Sequence, residues 1–108
     1  MVTLTDFQQL DLRVGRIVEV GEIEGALKPL YKLKVDVGEL GIKNIAAGIK
    51  DFYTVEELLN RSVIIISNLE PKNIANFVSD GMLLAAEDEN GISLLKPDKE
   101  LKPGSRVR

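Results

Sequence analysis

The sequence predicts an all-β fold: a small closed barrel of five or six short strands, with short helices and an extended C-terminal segment. Three observations carry this reading. Apolar residues alternate with polar ones in short runs bounded by glycine. β-Branched residues dominate those runs. Only two stretches carry the signals that start a helix, and both are brief. The 108 residues, 44% hydrophobic and 29% charged, suit one soluble domain spanning 1–108 whose core forms unaided.

Taken in order, Thr5 with Gln8 matches a capping box, and Phe7 and Leu10 fall on one side of the short helix it would start. From Asp11 to Ile23 the chain is rich in β-branched residues. Leu12 and Val14 alternate, as do Val18 and Val20, and Ile17 disturbs the phase beside Gly15. This predicts one long strand, bent or bulged near Gly15. After a loop at Gly25-Ala26-Leu27-Lys28-Pro29, the residues Tyr31, Leu33, Val35 and Val37 alternate with Lys32, Lys34 and Asp36, the pattern of a half-buried strand. Gly38 to Gly41 read as a turn and Ile42 to Ile49 as a third strand. Thr54-Val55-Glu56-Glu57 is a second capping box, so a short helix through Leu58 and Leu59 connects the third strand to the fourth.

The fourth strand, Val63-Ile64-Ile65-Ile66, is apolar on both faces and therefore central. Met82 to Ala86 and Ile92 to Leu95 flank Asp88-Glu89-Asn90-Gly91, whose Asn-Gly pair favours a tight hairpin. Pro97, Pro103 and Gly104 make Lys96 to Arg108 an extended tail. Strands in this order, with a helix between the third and fourth, predict a barrel of the oligonucleotide/oligosaccharide-binding (OB) type. Closure also removes the open edges that so short and apolar a sheet would otherwise present.

The composition points away from an enzyme. With no cysteine there are no disulfides, thiolate ligands or thiol nucleophiles, and with no histidine the commonest general base and metal ligand is missing. The carboxylates are scattered, with no pair whose spacing marks a catalytic or metal site, so no cofactor is expected. The N-terminus has no basic start and no apolar run approaches the ~20 residues of a membrane span, which predicts a cytoplasmic protein. A net charge of -3 means that any nucleic-acid site is a local basic patch on an acidic body.

Two groups of residues point to binding. Asn68-Leu69-Glu70-Pro71 and Ser79-Asp80-Gly81-Met82-Leu83-Leu84 set uncharged hydrogen-bonding groups between apolar runs. Asn68, Asn73, Asn76 and Ser79 are thus candidates for a small polar cleft, against the plainer reading of a strand, a turn and a strand. Strand spacing puts Lys32 and Lys34 on one face, joined from neighbouring segments by Lys28, Lys43, Lys50 and Lys72, a set suited to tracking phosphates or to an ordinary solvated face. Met82 reads as a core, dimer or ligand residue, and Phe77 as a core residue or an apolar anchor for peptide. Leu4, Phe7, Leu101 and Val107 fall outside the barrel pattern and give dimerisation a physical motive.

Asp11-Leu12-Arg13-Val14-Gly15, Asn68-Leu69-x-Pro71 and Ser79-x-Gly81-Met82-x-Leu84 also occur in one order and spacing. In this the chain resembles the stand-alone tRNA-binding domains related to the C-terminal domain of methionyl-tRNA synthetase, over about Phe7 to Arg108. Lys28 to Leu33, Gly41 to Lys43 and Ile74 to Ser79 resemble most the CsaA branch, described as an export-related chaperone. The resemblance implies a non-catalytic homodimer whose leading ligand is tRNA, with an aminoacyl-tRNA synthetase as a further partner. On the RNA reading the candidate contacts are Lys28, Lys32, Lys34, Lys43, Lys50, Asn68, Lys72, Ser79 and Met82. The alternative is unfolded or precursor protein held by Asn68, Asn76, Phe77 and Ser79. Where tRNA-binding members usually carry a basic residue and a glycine before the serine, this chain has Asn76-Phe77-Val78, while Gly81 and Met82 follow the tRNA-binding pattern.

Overall fold

A computed structural model describes residues 1–108. Its centre is a five-stranded antiparallel sheet, ordered β3-β2-β1-β4-β7, curled into a nearly closed barrel of the OB kind. The strands are β1 (Leu12–Glu22), β2 (Tyr31–Asp36), β3 (Ile42–Ala47), β4 (Ser62–Ile66) and β7 (Met82–Leu83). Two hairpins stand apart from it: β5 (Lys72–Ile74) with β6 (Phe77–Ser79), and β8 (Ala85–Asp88) with β9 (Gly91–Leu94).

Side-chain alternation explains the barrel's inside and outside. In β2, Tyr31, Leu33 and Val35 are buried while Lys32 and Lys34 are exposed, as period-2 geometry requires. They join Ile17, Val37, Ile45, Leu58, Val63, Ile65 and Leu94 in one core cluster. Fully burying each aliphatic side chain of this size contributes about 1.5–3 kcal/mol. Tyr53 ties the rim down: its hydroxyl accepts from Leu94 N–H at 3.0 Å, and its carbonyl accepts from the Tyr31 hydroxyl at 2.8 Å.

β1 serves two neighbours in turn, pairing with β4 over Leu12–Arg16 and with β2 from Arg16 onward. The expected irregularity sits at the change of partner. The register with β2 slips between Ile17 and Glu19, so the bulged residue is Val18, not Gly15. Gly15 answers to a different constraint, since a Cβ there would lie 2.5 Å from Val35 Cγ1. Where β2 does not reach β1, the C-terminal tail does: Val14 N–H donates to Ser105 O (2.8 Å), Gly104 N–H to Val14 O (2.7 Å) and Val107 N–H to Leu12 O (2.9 Å). The extended tail thereby covers an edge left open by the main ladder.

Both helices are short and capped. α2 (Val55–Leu58) carries the predicted Thr54–Glu57 box. α1 (Leu4–Gln8) starts earlier than the sequence suggests, with Thr3 and Asp6 forming the box in place of Thr5 and Gln8. The chain beyond α1 is held by side chains. Asn68 Oδ1 accepts from Asp11 N–H at 2.9 Å, and Asn68 Nδ2 donates to Gln9 O at 2.8 Å. Arg13 Nε donates to Asp11 Oδ1 at 2.7 Å and Arg13 Nη1 to Gly104 O at 3.0 Å, linking both termini to β1. The Arg13 guanidinium holds the Asp11 carboxyl below its ordinary range, with a smaller contribution from Arg106 and with burial opposing. A carboxyl lowered on folding stabilises the fold above its unfolded-state pKa, and that contribution fades as pH falls through the folded-state value.

The run Met82 to Ala86 divides in two. Met82 and Leu83 pair with β4, whereas Ala85 to Asp88 leave the barrel as the outer strand of an exposed hairpin. The close approach at Gly15 generates a test. Gly15→Ala forces Val35 to move and is expected to lower unfolding stability by about 1–3 kcal/mol, read as a lower urea midpoint with an unchanged m-value. An unaltered midpoint would show that β1 and β2 are not packed this tightly.

Candidate functional site

The outer face of β1, β2 and β3 carries a groove of about 310 Å³ lined by Glu19, Gly21, Lys32, Leu33, Lys34, Asn44 and Phe77. Strand register builds it. Glu19 pairs with Lys34 and Lys34 with Asn44, so these three side chains form one row across three strands. Gly21 pairs with Lys32 in the adjoining row, where the aliphatic stem of Lys32 lies over the missing side chain, its Cε 3.1 Å from where a Cβ would stand.

Phe77 enters from the β5–β6 hairpin. Its two loop residues, Ala75 and Asn76, have φ values of 47° and 70°, the left-handed pair that a tight hairpin needs. Ser79 fastens the hairpin to the barrel: it is buried, and its hydroxyl accepts from Ala46 N–H at 2.9 Å. One residue on, Asp80 N–H donates to Asn44 O at 2.6 Å. Gly81, at φ 132°, then turns the chain into β7 where a Cβ would press to 2.9 Å on Ile66 O. The Ser79-Asp80-Gly81-Met82 segment thus closes the barrel and sets Phe77 at the groove.

A second groove, about 520 Å³, lies between the β1–β2 loop and this hairpin. Lys28 and Lys72 line it with Leu27, Leu30, Asn73 and Ile74, and it has no acidic residue. Both grooves occupy the face and flanking loops by which OB barrels receive ligands.

The candidate lysines divide by their partners. Lys28, Lys32, Lys34 and Lys72 are exposed and form none of the chain's four ion pairs. Lys43 is half-buried and bound to Asp80 at 3.1 Å, and Lys50 is bound to Glu22. The amides and the serine do not gather into one cleft. Asn68 has its carbonyl and amide groups engaged on the N-terminal segment, Asn73 lines the second groove, Asn76 lies in the turn and Ser79 is taken up by β3. Met82 is 44% exposed on β7. No group of three or more acidic side chains is placed to hold a metal ion, and no helix is long and apolar enough to cross a membrane.

The profile of the family described as "Putative tRNA binding domain" matches residues 12–106. The chain belongs to the tRNA-binding-domain family. As such a domain it is 51% identical over 107 residues to the methionine–tRNA ligase of Pyrococcus horikoshii and 44% identical over 107 residues to that of Leptospira interrogans. It covers 99% of itself in each match but only 14% and 15% of those ligases. Among solved structures it superposes on the CsaA chaperone protein of Picrophilus torridus with a TM-score of 0.94 at 42% identity, all of both chains being covered. A MetRS-related protein of P. horikoshii matches with a TM-score of 0.89 at 33% identity, over 100% of this chain and 98% of that one.

Alternation with buried residues marks Lys32 and Lys34 in the sequence, whereas Glu19 and Asn44, which share the row of Lys34, carry no such signal of their own. Only the strand registers bring Glu19, Lys34 and Asn44 level, that of β1 with β2 after the slip at Val18 and that of β2 with β3. Removing the hydroxyl that anchors the hairpin, by Ser79→Ala, leaves a part-buried Ala46 N–H without its acceptor. The expected loss is about 1–3 kcal/mol, with faster amide exchange at Ala46. Unchanged exchange there would rule out Ser79 as the anchor.

Proposed function

We propose that residues 1–108 act as one non-catalytic unit that binds tRNA on the outer face of β1, β2 and β3. The observation that carries this reading is the set of four lysines free of carboxylate partners, Lys28, Lys32, Lys34 and Lys72, lining two grooves on the face that OB barrels use. Family membership and the synthetase relatives support it. On a body of net charge -3, such a local patch attracts phosphate where the whole molecule does not. Lys43 and Lys50 take part through their ion pairs, Met82 contacts RNA from β7, and Asn68 and Ser79 act by holding the backbone. The domain works in the cytoplasm, by itself or beside an aminoacyl-tRNA synthetase.

tRNA binding is expected to weaken steeply with salt because each neutralised phosphate releases counterions. Replacing both Lys32 and Lys34 by alanine is expected to weaken binding about tenfold or more and to flatten the log–log salt slope by about 1.5–2. Failure of the wild-type protein to shift tRNA in low salt would falsify the assignment.

The same reading includes a homodimer. Leu4, Phe7, Leu10 and Leu101 are exposed, and a groove lined by Phe7, Leu10, Arg106 and Val107 joins the two termini. Such exposed apolar groups on the two terminal segments of a small barrel favour pairing with a second copy. Sedimentation is expected to give a dimer that Phe7→Asp with Leu101→Asp dissociates, and a monomeric wild type would remove this part.

One observation favours a second ligand class: the full-length match to a CsaA chaperone protein at 42% identity, with a half-buried Phe77 beside the groove. On that reading Phe77, Asn76 and the strand faces hold unfolded or precursor polypeptide. The protein is then expected to slow aggregation of a denatured client with little salt dependence, and Phe77→Ala to reduce the effect. A wild type that leaves aggregation unchanged excludes it.

A further inference from the structure

The groove on β1–β3 holds a group that phosphate binding does not explain. Glu19 stands in the same cross-strand row as Lys34 and Asn44, is exposed, and forms no ion pair with either lysine of the groove. A carboxylate there works against phosphate. What it offers is hydrogen-bond acceptance, while Asn44 one strand beyond Lys34 offers an amide donor. Phe77, which lines the groove from the hairpin fastened by the Ser79–Ala46 bond, offers an aromatic surface. The groove, at about 310 Å³, lies at the lower end of the ~300–1,000 Å³ typical of small-ligand sites. That volume suits a single nucleotide.

Building on the RNA reading above, we propose that this groove is a base-reading subsite for a single unstacked nucleotide whose base carries, on its Watson–Crick edge, an amino group beside a ring nitrogen acceptor, namely cytosine or adenine. Phe77 stacks on the base and Lys32 and Lys34 hold the adjoining phosphates. Glu19 accepts from the exocyclic amino group, and Asn44 donates to the ring nitrogen. Uracil presents the reverse order, a carbonyl beside a ring N–H, and guanine, although its N1–H and amino group can donate to Glu19, offers Asn44 no ring-nitrogen acceptor on that edge. A carbonyl facing the Glu19 carboxylate meets repulsion in place of a hydrogen bond. Recognition thereby extends beyond shape and phosphate to the edge of an exposed base, as in single-stranded loops and ends.

The experiment compares r(C)6 with r(U)6, which share backbone and ring size, by fluorescence anisotropy at low salt, with tRNA binding measured in parallel. Wild type is expected to prefer r(C)6 about tenfold, in line with one well-placed polar pair. Glu19→Ala and Asn44→Ala are each expected to bring that ratio close to one. Phe77→Ala is expected to weaken both oligonucleotides about tenfold, and Lys34→Ala to weaken both while keeping the ratio. A wild-type ratio near one, or a ratio unaffected by Glu19→Ala, overturns the subsite even when tRNA binds. Absence of tRNA binding by the wild type removes the RNA reading beneath it.

Discussion

Closure of the barrel between β3 and β7 is the constraint on which the rest depends. The main ladder runs from β3 through β2, β1 and β4 to β7, and no ladder of its own joins β3 to β7. The seam is made by a short segment in which Ser79 and Asp80 bond the backbone of β3 while Gly81 packs on β4. A Cβ at Gly81 would collide with Ile66 O, and loss of the Ser79 acceptor would leave a donor unmatched in a part-buried place. The same residues fix the β5–β6 hairpin, so closing the core and positioning Phe77 are one event.

Charge on this molecule is decided by pairing more than by composition. There are more acidic than basic residues, 17 against 14, yet on the β1–β3 face Lys32 and Lys34 form no ion pair, not even with Glu19 in the same groove. Asp80 and Glu22 bind Lys43 and Lys50 at the margins, and Lys28, Lys32, Lys34 and Lys72 remain available. Exposed pairs of this sort add little stability, typically ~0–1 kcal/mol, so their larger effect is to shape the local potential. At the termini, the Asp11–Arg13 pair serves a geometric end: with Asn68 it holds the N-terminal segment and the tail against β1, bringing their apolar side chains onto one groove.

Much of the architecture was legible because it follows from local chemistry. Alternation located β2 and its outward lysines, a run of four apolar β-branched and aliphatic residues located β4, and the Thr54–Glu57 box located α2. The errors share a cause. Thr5 with Gln8 fits the capping pattern as well as Thr3 with Asp6 does, and the long-range bonds from Asn68 to Gln9 and Asp11 constrain where the following chain can run. A glycine in a strand suggests a bulge, yet Gly15 is small to admit Val35, and the bulge falls where β1 changes partner. Met82 to Ala86 read as one strand, but only its first part finds a partner in the barrel.

From the order of its residues alone, the chain determined that β2 turns Tyr31, Leu33 and Val35 inward, that a compact β-barrel forms, and that no thiol or imidazole chemistry is available to it. Tertiary structure alone decided which polar groups are free to meet a ligand. Asn68 and Ser79 satisfy backbone groups far along the chain, Lys43 meets a carboxylate 37 residues away, and Glu19 and Asn44 come level through strand register. Alternation is a property of neighbours in sequence, whereas hydrogen bonds and ion pairs depend on distances that only the closed barrel sets.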